Sequence, residues 1–97
     1  MIPKKRKPTH PGVILQKEFL EPMGLTQMEF AQKLNIPLQR VNEVVRGKRG
    51  ISPETAWLFA KAFGTTPELW LNLQNNYDLF VSFPKTKINF VKQLVKV

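Results

Sequence analysis

Apolar residues recur at helical spacing in five segments of the chain, and each segment lies between residues that start or stop a helix. In the first segment, Pro11 suits the first helical position, and Pro22 and Gly24 end the helix. The apolar face of this helix consists of Ile14, Leu15 and Phe19. Five such segments predict an all-α domain of five helices.

The stretch from Thr26 to Gly47 predicts two short helices joined by a tight turn. Thr26 followed three residues later by Glu29 is a capping box, so a helix begins at Thr26 or just after it. The apolar side chains on one face of this helix are Phe30, Ala31 and Leu34. The turn is Asn35-Ile36-Pro37, in which Asn tolerates a left-handed backbone and Pro suits the first position of the next helix.

The helix from about Pro37 to Arg46 has one apolar and one polar face. Val41 and Val44 face the core together with Ala31, where a small side chain lets two helices cross closely. The outward residues are Leu38, Gln39, Arg40, Asn42, Glu43 and Arg46. Gln and Asn pair with adenine, and Arg with guanine, so this face is suited to reading bases in the major groove. The alternative is the solvated polar face that any amphipathic helix has.

Two basic segments flank this helix-turn-helix pattern. The loop Gly47-Lys48-Arg49-Gly50 places two cations where a duplex backbone would pass, the alternative being a turn with solvated charges. Residues 1–8 form a predicted flexible arm that contains Lys4-Lys5-Arg6-Lys7. The arm is either a solubilising tail or a segment that contacts phosphates or enters a groove.

Two further helices complete a predicted domain over residues 9–83. Ser52-Pro53-Glu54 and Thr66-Pro67-Glu68 are similar helix-start signals. Four residues on or just after the last helix are candidates for a dimer interface, with core filling as the alternative: Trp70, Leu73, Tyr77 and Phe80. The C-terminal extension, residues 84–97, mixes apolar residues with lysines and suits either a short amphipathic helix or a strand.

Composition narrows the possible functions. Fifteen Lys and Arg against seven Asp and Glu give a formal net charge of +8, which argues for a polyanionic partner. Nucleic acid is favoured over a membrane surface because the cationic face of the extension is short. There is no Cys and a single His, His10, so we expect no metal, no cofactor and no enzymatic activity. We expect a cytoplasmic protein, since no apolar run suits a membrane span or a signal peptide.

With these residues in hand, the chain resembles the HigA-type antitoxins, a branch of the Cro/repressor-like (XRE) helix-turn-helix regulators. The resemblance covers about residues 8–79 and rests on HPGVILQKEFLEPMGLTQMEFAQKL and on RVNEVVRGKRGISPETAWLFAKAFGTTPELWLNLQNNYDL. It implies an all-α, five-helix, lambda-repressor-like domain that dimerises, binds a palindromic operator in its own promoter and neutralises a HigB-like toxin that cleaves messenger RNA. The alternative is a stand-alone transcriptional regulator with no toxin partner.

The resemblance also implies a set of DNA-binding residues. Thr26 and Gln27 lie at the start of the second helix, where Gln27 resembles a residue that contacts phosphate. Gln39, Arg40 and Asn42 resemble positions of the recognition helix that contact bases and backbone. The phosphate clamp of the family is matched by Arg46, Lys48 and Arg49. The sequence departs from the wider family at Asn35, where Gly is common, and residues 84–97 lie beyond the resemblance.

Overall fold

The computed structural model describes residues 6–95 and confirms the predicted all-α architecture of five helices. The first helix, α1, has an α-helical start at Pro11–Ile14, a π-helical middle at Leu15–Leu20 and a last turn at Glu21–Met23. The other helices are α2 (Gln27–Leu34), α3 (Leu38–Val45), α4 (Pro53–Phe63) and α5 (Pro67–Val81). In the described part of the chain, no helix is long and apolar enough to cross a membrane.

Helix α1 continues one residue past the proline that was predicted to end it. Pro22 lies inside the last turn, and the helix ends at Gly24, whose φ is +66°. The preceding π-helical segment explains this difference, because its wider turn pairs the Glu21 N–H with the Gln16 carbonyl. A widened turn relieves the clash that a proline ring makes with the carbonyl one α-helical turn earlier. Of the two residues predicted to end the helix, Gly24 is confirmed, and the prediction for Pro22 is wrong.

The turn between α2 and α3 confirms the role of Asn35 and corrects that of Pro37. Asn35 has a left-handed backbone, with φ +56° and ψ +46°, and its N–H bonds to carbonyls of the preceding turn. Pro37 has an extended backbone with ψ +142°, so it precedes the helix and does not form its first turn. Its carbonyl accepts the N–H of Arg40 at 3.1 Å. As a cap it brings no side-chain acceptor, but it also leaves no N–H of its own unpaired.

The core lies among the five helices, and each of them contributes buried side chains to it. Its largest side chains form one aromatic cluster, in which ring centroids are 4.4 to 6.4 Å apart: Phe19, Phe30, Phe59, Phe63 and Trp70. Val41 and Val44 of α3 are buried beside Ala31, as the sequence predicts. The burial of this apolar face stabilises α3, because a helix of only eight residues is marginally stable in isolation.

One close approach, between α1 and α3, fixes the position of α3. A Cβ atom on Gly12 of α1 would lie 1.8 Å from the carbonyl oxygen of Val44, so only glycine allows α1 to pack so closely against α3.

A short 3₁₀ turn, Lys87–Phe90, follows α5, and residues 91–95 are irregular and exposed. Over residues 84–95, the part of the extension that the structure describes, the chain forms neither the amphipathic helix nor the strand that its sequence pattern allowed.

Candidate nucleic-acid interface

The polar face of α3 is exposed on the side of the helix opposite Val41 and Val44. Leu38, Gln39 and Arg46 are exposed, whereas Arg40, Asn42 and Glu43 are half-buried. The three half-buried side chains each bond to another part of the surface, so they are held in place before any ligand arrives.

Glu43 is the most heavily bonded residue of this face. Its Oε1 accepts from Arg49 Nε and also pairs with Arg49 Nη2, each at 2.9 Å, and its Oε2 accepts from Gln39 Nε2 at 3.1 Å. Its backbone carbonyl accepts the N–H groups of Lys48, at 2.8 Å, and Arg49, at 3.2 Å. The hydrogen bond from Arg49 is the largest cause that lowers the pKa of Glu43, followed by that from Gln39. The carboxylate is therefore ionised and fastens the basic loop to α3.

Arg40 has a weaker acidic partner at the start of the next helix. Its Nη1 lies 3.4 Å from Glu54 Oε1, and the Glu54 side chain is 74% exposed. An exposed ion pair of this length contributes little to stability and is easily exchanged for water or phosphate. Arg40 thus remains available for a ligand in the groove.

A row of side-chain amides connects three helices beneath the polar face. Asn42 Nδ2 on α3 donates to Gln27 Oε1 on α2 at 3.2 Å, and Gln27 Nε2 approaches Gln16 Oε1 on α1 at 3.5 Å. Gln16 was absent from the residues that the sequence indicated, because nothing in the linear pattern shows that α1 approaches α2 at this point. The row leaves Asn42 Oδ1 and one N–H of each amide for other partners.

The Thr26 side chain serves chiefly as the N-cap of α2. Its Oγ1 accepts from the Glu29 N–H at 3.0 Å, and Glu29 Oε1 accepts from the Thr26 N–H at 2.9 Å. This backbone hydrogen bond is the main cause that lowers the pKa of Glu29. The predicted capping box is confirmed, and the Thr26 hydroxyl proton is left to contact a phosphate.

Gln74 of α5 also shapes the interface, although it was not among the residues that the sequence indicated. It is 8% exposed, and its Oε1 accepts from the backbone N–H of Ile51 at 2.8 Å while its Nε2 donates to Asp78 at 2.9 Å. Because Ile51 follows the glycine-flanked loop directly, this bond holds the far end of the loop that carries Lys48 and Arg49. No sequence feature indicated this role, because the burial of Gln74 and its contact with Ile51 depend on how α5 packs.

His10 fastens the base of the N-terminal arm to the body of the domain. Its Nδ1 accepts from the Gly12 N–H at 2.9 Å and so caps α1, and its ring packs edge-on against Tyr77 at 4.9 Å. The Lys7 ammonium lies 5.2 Å from the Tyr77 ring centroid. Lys7 therefore lies beside α5, whereas residues 1–5 of the predicted arm lie outside the described residues.

This cap makes stability depend on pH. Burial lowers the pKa of His10 below its ordinary value of 6.5, and the nearby Asp78 carboxylate opposes that shift in part. The unfolded chain therefore binds the proton more readily, so the stabilisation is complete above about pH 6.5 and is lost as the pH falls below it. We expect acidification to lower the free energy of unfolding by up to about 1 kcal/mol, a usual value for a helix cap.

Urea unfolding of the wild type and of His10→Asn, compared at neutral and mildly acidic pH, checks this expectation. Asn is also a good cap but does not titrate, so the variant should lose less stability on acidification. An equal loss in both proteins would show that another group carries the pH dependence.

The predicted dimer-interface residues fall into two groups. Trp70 is 0% exposed and donates from Nε1 to Thr65 Oγ1 at 2.9 Å, so it belongs to the core and has no surface to offer a second copy. Of the two alternatives for this residue, core filling is the one that the structure shows. The three others, Leu73, Tyr77 and Phe80, are half-buried.

Comparison with known proteins agrees with this geometry. Residues 16–70 match the helix-turn-helix family. The chain belongs to that family. It is 40% identical over 76 residues to the antitoxin HigA-1 of Vibrio cholerae, an alignment that covers 78% of this chain and 71% of the relative. It is also 42% identical over 83 residues to the virulence-associated protein I of Dichelobacter nodosus, covering 84% and 77% of the two chains.

Solved helix-turn-helix structures include proteins bound to DNA. The antitoxin GraA in complex with its operator superposes with a TM-score of 0.88 at 33% identity, over 99% of this chain and all of that one. The Pseudomonas aeruginosa antitoxin HigA with the higBA promoter superposes with a TM-score of 0.84 at 33% identity, over 91% and 99% of the two chains. The chain is a DNA-binding regulator of the antitoxin-like, HigA-related kind.

Proposed function

We propose that this chain is a dimeric autorepressor that also serves as the antitoxin of a type II toxin–antitoxin pair. Two copies would place their α3 helices in successive major grooves, roughly 34 Å apart, on a palindromic operator. The bases would be read by Gln39, Arg40, Asn42 and Glu43, with Leu38 against the groove. Phosphates would be held by Thr26, Gln27, Arg46, Lys48 and Arg49.

The observation that carries the DNA-binding part is the arrangement of α3 and the loop that follows it. The exposed polar face of the helix and the exposed cations Lys48 and Arg49 are joined through the backbone carbonyl and the carboxylate of Glu43. A base-reading helix followed at once by phosphate-binding cations is what a docked helix-turn-helix requires. The operator complexes of the similar proteins support this proposal.

Loss of a base-reading side chain should reduce discrimination between DNA sequences. We expect Gln39→Ala and Arg40→Ala each to lower the ratio of specific to non-specific affinity about tenfold, within the range for one lost bidentate contact. The specific duplex is first selected from random double-stranded DNA by the wild type, and the affinities are then measured at fixed salt against a shuffled duplex. If both variants kept the wild-type ratio, α3 would not be the reading element.

Lys48→Ala is the matched control for this experiment. Lys48 is exposed and would contact phosphate only. Its loss should weaken binding to both duplexes by a similar factor and reduce the salt slope by about 1, while the affinity ratio stays unchanged.

The antitoxin part rests on the comparisons with HigA-1, HigA and GraA, which are named as antitoxins. Co-expression with the small reading frame beside its gene, followed by purification through a tag on this chain, tests it directly. A HigB-like partner should co-purify, and cells should tolerate the small product only when this chain is present.

The stand-alone regulator is the second candidate. Several relatives are known only as helix-turn-helix regulators, among them a protein of Haemophilus influenzae that is 47% identical over 75 residues. In that case the operator would still be bound, but no toxin would co-purify. The same co-expression experiment therefore separates the two candidates.

A further inference from the structure

Glu43 places a carboxylate in the middle of the surface that is proposed to bind DNA, a polyanion. It projects from α3 between Gln39, one turn before it, and the basic loop after it. Its side chain is 28% exposed, so it lies close to where phosphates and base edges would approach. An acid at this place opposes non-specific attraction to DNA, and its presence therefore needs a reason beyond affinity.

The carboxylate holds two of the groups that contact DNA in the proposed function. Arg49 is held by two nitrogens at 2.9 Å, and the Arg49 side chain is half-exposed at 50%. Gln39 Nε2 is held at 3.1 Å. The comparable pair Arg40–Glu54 is longer, at 3.4 Å, and its acid is much more exposed, at 74%. Glu43 thus restrains its partners more firmly than the other acid of this surface.

A carboxylate can give up these partners only for other donors. In the major groove such donors are the amino groups of cytosine N4 and adenine N6, whereas guanine O6 and thymine O4 are acceptors that repel it. Where the base that faces Glu43 lacks an amino group, the carboxylate stays bonded to Arg49 and Gln39. Where the amino group is present, the carboxylate accepts a hydrogen bond from the base, and Arg49 and Gln39 are released to contact the duplex.

We infer that Glu43 is a specificity residue that acts by exclusion: it makes release of Arg49 and Gln39 to DNA depend on an amino group at the base that it faces. This inference rests on the proposed function, since it assumes that α3 reads a duplex. In this role Glu43 disfavours duplexes that lack the amino group, whereas the other residues of the site only attract DNA.

The variant Glu43→Gln tests the inference because Gln keeps the size of the side chain and removes its charge. Affinity for a shuffled duplex should rise about three- to tenfold, and the salt slope should steepen by about 1 as Arg49 becomes free to bind phosphate. Affinity for the duplex selected by the wild type should rise less, so the specificity ratio should fall. Selection from random DNA with the variant should lose the preference for cytosine or adenine at one position of each half-site.

Glu68→Gln, an exposed acid at the start of α5, is the matched control for the change in net charge. Equal rises in affinity for both duplexes with Glu43→Gln, or the same pattern with Glu68→Gln, would overturn the inference. If the wild type itself showed no preference for any selected duplex, the proposed function would fail instead. Circular dichroism of both variants shows whether the fold is kept, and Glu43→Asp, which keeps the charge but shortens the reach, should retain weak binding to the shuffled duplex.

Discussion

Gly12→Ala should lower the free energy of unfolding by about 3 kcal/mol or more and weaken DNA binding with it. The new Cβ would lie 1.8 Å from the Val44 oxygen and 2.7 Å from the Val44 carbonyl carbon, both backbone atoms of α3. A backbone atom cannot rotate away as a side chain does, so α1 and α3 must move apart. Since α3 carries the polar face, the same displacement moves the residues that are proposed to read bases. Urea denaturation and a duplex-binding titration measure the two effects.

Gly24→Ala is the matched control for this variant. Gly24 caps the other end of α1, and a Cβ there would meet no atom within 4 Å, but its φ of +66° is strained for alanine. We expect a cost of only about 1 to 2 kcal/mol, with DNA affinity unchanged. Equal destabilisation by the two substitutions would show that α1 and α3 have room to separate and that the close approach does not position α3.

Gln74→Leu should cost about 2 to 3 kcal/mol, because it leaves a buried donor without an acceptor. The Ile51 N–H bonds to Gln74 Oε1 at 2.8 Å, and leucine fills similar space but accepts nothing. Loss of this bond frees the end of the loop that carries the basic residues, so affinity for all duplexes should also fall. Denaturation gives the free energy, and amide hydrogen exchange at Ile51 should accelerate relative to the wild type.

Asn75→Leu also replaces a side-chain amide with leucine, one residue further along α5 and at an exposed position. Surface substitutions of this kind usually change stability by no more than about 0.5 kcal/mol. If Gln74→Leu were as mild as Asn75→Leu, or left exchange at Ile51 unaltered, the hydrogen bond would not be what holds the loop.

The comparison of sequence with structure shows which signals are local. The capping box of Thr26 and Glu29 and the left-handed Asn35 were predicted correctly, because each depends only on residues a few positions apart. Pro22 and Pro37 were misplaced for a related reason. A proline indicates that a helix boundary is near but not which side of it the proline lies on. A π-helical turn accommodates Pro22 inside α1, whereas an extended backbone places Pro37 just before α3.

In the candidate site, too, the features that depend on nearby residues were predictable and those that depend on distant residues were not. The outward residues of α3 followed from its two buried valines, since helical periodicity fixes the opposite face once one face is buried. Their bonding partners did not follow. Gln16, Glu54 and Gln74 lie 11, 14 and 23 residues along the chain from the residues they bond, and such distant pairs leave no trace in a single sequence.

By itself the sequence determined five helices, the position of the helix-turn-helix and the polar face of α3, because caps, breakers and apolar spacing act within a few residues. Only the tertiary structure decided that Trp70 is core, that Gly12 sets the distance between α1 and α3, and that Glu43 restrains Arg49. Those three outcomes depend on which surfaces meet when the helices pack. The net charge of +8 indicated a polyanionic partner, but only the packing of the loop against α3 showed that Glu43, the acid within the polar face, bonds to Arg49.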